Sequence, residues 1–315
     1  MKKHIRIILI AVLACVLAAS VGMLIYKQIQ YKQGQDSYSA ADKLAGLAGI
    51  PTDAETDPDA SQPTDNNEHN TQYYQPYAAQ LNAMDVAALK KVNSDVMGWI
   101  LIPGTAVSYP LVHSTDRADT FYLNHTWDAA EGIVGSIFVE PENSGGLNDF
   151  NTVIYGHNMK DGSMFGSLKS FGSVNWWKAH PGVYISTAAG TRYYKIFAAY
   201  EVSTSGKTYQ ISFSSDKTKQ AFIDFCLAQS AISTGVTPTV DDNIITLSTC
   251  TGRGHATRWV VQAVMTVSQP KAAAPSAALP APTAVPTQAP AEDISDESTE
   301  TGAEPSDEAA KPTAG

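Results

Sequence analysis

Residues 243–267 read NIITLSTCTGRGHATRWVVQAVMTV, two apolar runs separated by a short polar loop. The first run, 243–249, and the second, 257–267, are rich in β-branched and aromatic residues, so both are predicted as β-strands. The loop between them contains two glycines and is short enough to join neighbouring strands. Cys250 therefore follows the end of one strand and Arg258 lies at the start of the next. We expect both side chains at the same end of a sheet.

Apolar segments of strand length recur through the middle of the chain. Six further strands are predicted, at 99–102, 107–112, 132–139, 152–155, 183–186 and 192–200. A short helix capped by Asp85 precedes them. One long helix, which Ser214 or Ser215 can cap, runs to about Ala231 with its apolar residues on one face. Many short strands with one long helix between the late strands predict a mainly β fold, a closed β-barrel.

The N-terminus combines basic residues with a long apolar run. Lys2, Lys3 and Arg6 precede an uncharged stretch from Ile7 to Tyr26, which is long enough to cross a bilayer as a helix. The positive charges favour an N-terminus inside the cell and the remaining chain outside. We therefore predict that residues 1–26 form a signal anchor. The alternatives are a cleaved signal peptide, because small residues occur within the run, and lipid attachment at Cys15.

Two polar, acidic segments flank the middle of the chain. Residues 27–75 and 269–315 contain too few large apolar side chains to fold alone, so they are predicted as a disordered linker and a disordered tail. The net charge of -10 is concentrated in these segments. Residues 76–268, predicted as one folded domain, have nearly balanced charges and no basic patch. This composition argues against nucleic acid as a partner.

The part of the chain predicted to be exported contains two cysteines, Cys226 and Cys250. A disulfide between them is one alternative. Cys226, however, lies in the apolar helical pattern AFIDFCL, where a buried free cysteine behaves as a small hydrophobe. Cys250 is then a free thiol in an oxidising compartment, which is unusual. A thiolate is a strong nucleophile, and Arg258 could stabilise an oxyanion beside it or be an ordinary surface charge.

A thiol nucleophile usually works with a histidine. His157 follows the apolar strand TVIY at a glycine turn, so it lies at a strand end as Cys250 does. His255 is the alternative base, since it lies five residues after Cys250 in the same loop. The residues alone favour His157 and leave His255 open. Cysteine and histidine show no metal-binding spacing, so no metal and no cofactor are predicted.

These motifs resemble those of sortases, the membrane-anchored cysteine transpeptidases of Gram-positive bacteria. TLSTC followed by Arg258 is similar to their signature at the nucleophile, and YGHNM followed by GSMF is similar to their histidine segment, particularly in class B. The segments DVMGWI, YPLV and GSIF also resemble that class. The resemblance covers about residues 80–268, with the motifs in family order, and implies a sortase-like closed β-barrel.

The resemblance implies a role for each site residue. Cys250 would attack the carbonyl carbon of a threonine in a sorting motif, and His157 would protonate the leaving amine and later deprotonate the incoming one. Arg258 would stabilise the oxyanion or position the substrate, together with the backbone N–H of Thr251. Ser248 and Leu123 are candidates for lining the substrate groove, or else are ordinary strand and core residues.

The implied partners are secreted proteins that carry a sorting motif, with peptidoglycan or its lipid-linked precursor as the acceptor amine. The implied location is the cell membrane, with the catalytic domain outside. Two enzyme alternatives use the same residues: a pilin-polymerising sortase, whose acceptor is a lysine, and a cysteine peptidase. A third alternative is not an enzyme but a tethered β-barrel binding module in which Cys250 is inert.

Overall fold

The computed structural model describes residues 2–47, 77–118, 120–252 and 256–271 of the chain. The strands in these ranges are β1 (Val96–Leu101), β2 (Ser108–Val112), β3 (Ile137–Val139), β4 (Asn151–Tyr155), β5 (Gly182–Thr187), β6 (Gly190–Ser203), β7 (Ile244–Cys250) and β8 (Thr257–Pro270). The helices are α1 (Lys2–Ala45), α2 (77–83), α3 (Val86–Val92), α4 (Val174–Ala179) and α5 (Asp216–Gln229).

The strands close into a barrel in the order β1-β2-β3-β4-β7-β8-β6-β5. Most neighbours are antiparallel, but β2 pairs with β3 and β4 with β7 in parallel, the latter with Tyr155 opposite Ser248. The chain then reverses into β8, where Arg258 lies opposite Cys250. Because parallel strands end at the same edge of a sheet, the ends of β4 and β7 and the beginning of β8 meet at one end of the barrel.

The predicted fold class is confirmed: the protein is mainly β, with a closed barrel, N-terminal helices and α5 between β6 and β7. The predicted strand 132–139 was too long, since β3 comprises only Ile137–Val139. The residues before β3 form a turn in which Gly135 has a φ of 60°. This left-handed backbone conformation suits glycine and ends the strand pattern there.

Apolar side chains from all sides of the barrel form its core. Ile100, Leu111, Ile154, Ile185, Ile196, Leu247 and Val261 each have a relative exposure of 0%. Removing such a side chain from water contributes about 1.5–3 kcal/mol to folding. Helix α5 begins with a capping box at Ser215 and packs Phe222, Ile223 and Cys226 against the outside of the barrel. Cys226 is a free, buried cysteine, so the disulfide alternative is wrong.

Helix α1 contradicts the predicted boundary at residue 27. Residues 27–45, predicted as the first part of a disordered linker, continue the helix that contains the apolar run. Five residues of this part face the barrel at helical spacing: Tyr31, Gly34, Tyr38, Ala41 and Ala45. The composition of 27–75 is polar and acidic, but this narrow stripe of small and aromatic residues is enough to bury one face. Residues 48–75 and the predicted tail from 272 onward lie outside the described residues.

The first part of α1 is a candidate membrane anchor. The helix is long and apolar enough to cross a membrane, and its most apolar window has a mean hydropathy of 2.9 with none of it buried. A signal sequence near the N-terminus would pass the same test, so the anchor and the cleaved signal peptide both remain as interpretations of this segment.

Candidate active site

Cys250 is the last residue of β7 and is half-buried at the end of the barrel. Its backbone carbonyl accepts a hydrogen bond of 2.7 Å from the side-chain amide of Asn158. Across the β7–β8 pairing it lies opposite Arg258. The nucleophile candidate is thus held by a strand on one side and by a side chain of the histidine segment on the other.

His157 is placed by the parallel pairing of β4 and β7. The strands pair as far as Tyr155 and Ser248, and two further hydrogen bonds extend the contact beyond that point. The N–H of Gly156 donates to the carbonyl of Ser248 at 3.2 Å, and the hydroxyl of Thr249 donates to the carbonyl of Gly156 at 2.7 Å. The residue before His157 is therefore fixed against the strand that carries Cys250.

The imidazole of His157 is oriented by one backbone carbonyl. Its Nε2 lies 2.6 Å from the carbonyl oxygen of Leu123. A carbonyl oxygen only accepts, so Nε2 carries a proton, and Nδ1 is the nitrogen left to exchange protons. Gly135 closes the other side: a Cβ there would lie 2.7 Å from the same oxygen and 2.8 Å from Cδ2 of His157.

The turn that supplies this carbonyl is held in place by a partly buried polar network. The hydroxyl of Tyr122 donates to Asp95 at 2.6 Å and accepts from the amide of Asn93 at 2.8 Å. Arg117 forms a salt bridge of 2.6 Å with Asp95. Burial acts to raise the pKa of Asp95, but the hydrogen bonds from Tyr122 and Arg117 outweigh it, and the pKa is below its usual value. The carboxylate therefore remains charged and keeps the turn in place.

Arg258 is half-buried, and its Nη1 donates to the carbonyl of Thr257 at 3.1 Å. Burial raises the pKa of Tyr209, and the nearby positive charge of Arg258 acts in the opposite direction. The hydroxyl of Tyr209 lies 2.9 Å from that of Ser248, and its ring stacks on Tyr155 at a centroid distance of 6.3 Å. The guanidinium thus lies beside two tyrosines at the same end of the barrel as Cys250.

Comparison with known proteins agrees with this geometry. The sortase domain model matches residues 100–266. The chain belongs to the sortase family. Sortase B of Listeria monocytogenes is 35% identical over 162 residues, which are 51% of this chain and 65% of that protein. A solved Staphylococcus aureus sortase B-substrate complex has a TM-score of 0.58 at 25% identity and covers 76% of this chain and 98% of its own.

A solved sortase B complexed with triglycine is similar as well, with a TM-score of 0.57 at 25% identity, covering 75% of this chain and 98% of its own. The curated relatives are themselves sortase B proteins, so this sortase is class B-like. The chain covers less than two thirds of their length: 65% of the Listeria monocytogenes protein and 66% of sortase B of Staphylococcus aureus.

The remaining residues predicted for the site of this sortase have different surroundings. Ser248 is 1% exposed, and its hydroxyl contacts Tyr209, which supports the interpretation as an internal strand residue instead of a groove residue. Leu123 is 38% exposed next to His157, and its position in the substrate groove stays a prediction. Thr251 is buried after Cys250, with its hydroxyl 2.9 Å from that of Thr257, and its role as an oxyanion donor also stays a prediction.

His255, the alternative base, lies outside the described residues, as do its two preceding neighbours. Within the described ranges, no group of three or more histidine, cysteine, aspartate or glutamate side chains is arranged to hold a metal ion.

Three residues of the sortase site were missed by sequence reasoning. Asn158 is adjacent to His157 in YGHN, and its position after a candidate base was a usable signal. Gly135 could have been suspected from the glycine within GSIF, since a glycine inside a strand pattern often marks a turn or a close contact. Tyr209 lies in a short 3₁₀ turn between β6 and α5, where no periodic pattern exists to indicate it.

Proposed function

We propose that this class B-like sortase is a cysteine transpeptidase that cleaves a C-terminal sorting motif after threonine and transfers the protein to a cell-wall amine. One observation carries the proposal. The parallel β4–β7 pairing brings the His157 segment to the strand that ends in Cys250, with Arg258 opposite it. A nucleophile, a proton donor and a fixed cation at one strand end are what acyl transfer through a thioester requires.

In the first half-reaction, Nδ1 of His157 takes the thiol proton of Cys250, and the sulfur attacks the threonine carbonyl carbon to form a tetrahedral oxyanion. Arg258 stays charged at any working pH and stabilises that oxygen, with the N–H of Thr251 as a second donor. The peptide C–N bond then breaks, and His157 gives a proton to the leaving amine. Because Nε2 is engaged by Leu123, Nδ1 is the nitrogen that exchanges this proton.

In the second half-reaction, an amine attacks the thioester carbon, His157 takes its proton, and the C–S bond breaks to release Cys250. The proposed acceptor is an amine of peptidoglycan or of its lipid-linked precursor. The solved relatives support a peptide substrate and an amine acceptor, since one is a sortase B-substrate complex and another is complexed with triglycine. We place the enzyme at the cell membrane, with α1 as an uncleaved anchor and the barrel outside.

The test uses the full chain in detergent with a library of sorting-motif peptides and triglycine as the acceptor. Intact-mass spectrometry should show an adduct on Cys250 that carries the N-terminal half of a peptide and that disappears when triglycine is added. His157→Ala and Cys250→Ala should abolish the adduct, whereas His255→Ala and the matched cysteine control Cys226→Ala should retain it. Absence of any adduct, with Cys250 also unreactive toward a thiol probe, would favour the binding module instead.

A further inference from the structure

One segment of the chain, residues 120–136, supplies the groups that contact the imidazole of His157. Leu123 supplies the carbonyl that accepts from Nε2, and Gly135 supplies the space beside the ring. The two ends of the segment are joined, because the N–H of Ser136 donates to the carbonyl of Tyr122 at 2.9 Å. Any displacement of this segment therefore moves both the carbonyl of Leu123, which accepts from the imidazole, and Gly135, which packs beside the ring.

Helix α1 contacts this same segment at three hydrogen bonds. The hydroxyl of Tyr38 donates to the carbonyl of Gly135 at 2.5 Å. The indole N–H of Trp127 donates to the carbonyl of Ser37 at 3.0 Å, and the hydroxyl of Ser37 donates to Asp128 at 3.1 Å. Helix α1, whose first part is the candidate membrane anchor, is thus hydrogen-bonded to the segment that contacts the candidate base.

Packing reinforces these bonds. Gly34 faces Val134 so closely that a Cβ on Gly34 would lie 2.5 Å from the nearest methyl carbon of that valine. The ring of Tyr38 meets Tyr109 edge-on at a centroid distance of 5.1 Å. Burial raises the pKa of Tyr38 well above its ordinary value, so its hydroxyl is protonated and donates throughout the physiological range.

We propose that docking of α1 positions the catalytic base, with Tyr38 as a positioning residue that acts on His157 through the carbonyl of Gly135. The proposal rests on the proposed function for its consequence in catalysis, but the positioning itself is a property of the fold. Detachment of the helix would free residues 132–136 and release the imidazole from its single orientation. Displacement of a catalytic group by about 1 Å lowers the reaction rate strongly. The hydroxyl of Tyr38, which lies outside the site, would thus affect catalysis by fixing the orientation of His157.

The helix also sets where the site lies relative to a membrane. The uncharged run ends at Tyr26, and Tyr38 follows twelve residues later in the same helix. At about 1.5 Å per residue, this interval spans roughly 18 Å. A barrel attached at Tyr38 is therefore held at a fixed distance from the bilayer, with its base in working position only while the helix is docked.

The experiment compares Tyr38→Phe with Tyr31→Phe in the full chain in detergent. Tyr31 lies about two turns earlier on the same face and packs against the core. Tyr31→Phe therefore removes an equivalent hydroxyl from the same helix. Loss of one hydrogen bond predicts that Tyr38→Phe lowers kcat/KM about three- to tenfold, mainly in kcat, with Tyr31→Phe close to wild type. Selective ¹⁵N-histidine NMR should show the Nε2–H tautomer of His157 in wild type and a shift toward a tautomer mixture in Tyr38→Phe only.

The two proposals fail in distinguishable ways. If wild type forms no acyl-enzyme, the proposed function is wrong, and the NMR comparison still decides the positioning. If wild type is active while both tyrosine variants have the same kcat and the same His157 spectrum, the positioning role is overturned. A second variant, Gly34→Leu, forces α1 away from Val134 and should move the same His157 signals. Unchanged His157 signals in this variant would likewise overturn the proposal.

Discussion

Gly135 occupies a place that other residues cannot take without moving His157. Its φ of 60° is costly for a residue with a side chain, and a Cβ would meet the imidazole and the carbonyl of Leu123. Gly135→Ala should therefore reduce kcat/KM by at least about tenfold, since small displacements of a base are expensive, and lower stability by about 1–2 kcal/mol. Peptide-cleavage kinetics and thermal unfolding measure the two effects separately.

The matched control is Gly235→Ala. Gly235 has a φ of 74° and no atom within 4 Å of the added Cβ, so this change has the same backbone cost without a clash. It should lower stability by a similar amount and leave kcat/KM unchanged. Equal activity in the two variants would mean that the contact between Gly135 and His157 does not control the base.

The residue scale also shows what the sequence could predict about the site. Cys250 and Arg258 were paired correctly because a short loop between two strands leaves few geometries for the residues that flank it. The bond from Asn158 to the Cys250 carbonyl was not predicted, because it spans 92 positions and depends on β4 and β7 being parallel neighbours. Pairing between distant strands is decided by the whole fold, and local patterns do not specify it.

At the scale of elements, the strands were predicted well where apolar runs were bounded by turns, and the second part of α1, residues 27–45, was not predicted. Strands β4 and β7, for example, are short runs rich in apolar and β-branched residues and are buried along almost their whole length, which is a usable local signal. Residues 27–45 instead combine polar composition with a buried face of only five small or aromatic side chains. Judging the segment by its average polarity hides that face, and a search at helical spacing would have found it. The order of the barrel strands was not predicted, because the pairing of distant strands depends on the whole fold.

The docked part of α1 should contribute measurably to the stability of the barrel. We expect a protein that begins at residue 27 to unfold at a temperature close to that of the full chain, because only the apolar run is removed. One that begins at residue 48 loses the hydrogen bonds of Ser37 and Tyr38 and the burial of Ala41 and Ala45. Losses of several kcal/mol should lower the unfolding temperature by on the order of 10 °C. Thermal unfolding of both proteins, each ending at residue 271, measures this.

Identical unfolding temperatures for the two shortened proteins would show that docking of α1 contributes nothing to the fold. The protein that begins at residue 48 could instead be stable while its His157 is mobile. That result would show that α1 positions His157 without contributing to the stability of the barrel. The comparison therefore tests at the level of the helix what Tyr38→Phe tests at the level of one hydroxyl.

At the scale of the whole molecule, the junction between α1 and the barrel contains a titratable group. Asp42 lines a cleft of about 460 Å³ between the helix and the barrel, together with Tyr38, Tyr109 and Asp161. Burial raises the pKa of Asp42 from 3.8 to about 6. The folded state therefore disfavours the ionised carboxylate, and that penalty is present in full only above this pKa.

The sign of the pH dependence follows from this shift. Below about pH 3 the carboxyl is protonated in both folded and unfolded chains. Between about pH 3 and 6 the folded state binds the proton more tightly, so the contribution of Asp42 to stability rises as the pH falls. Asp42→Asn removes the charge at every pH. After discounting for partial exposure, we expect it to stabilise the fold by roughly 1 kcal/mol at pH 7.5 and by almost nothing at about pH 3, where the carboxyl is protonated in both states.

Thermal unfolding of the full chain in detergent at the two pH values tests this, with Asp36→Asn as the control, since Asp36 is exposed on the same helix. Asp36→Asn should change the unfolding temperature little at either pH. A gain for Asp42→Asn that is equal at both pH values would arise from packing and not from the charge, and no gain at pH 7.5 would mean that the carboxylate is hydrated in the folded protein. Only a gain confined to the higher pH supports a helix whose docking weakens as Asp42 ionises.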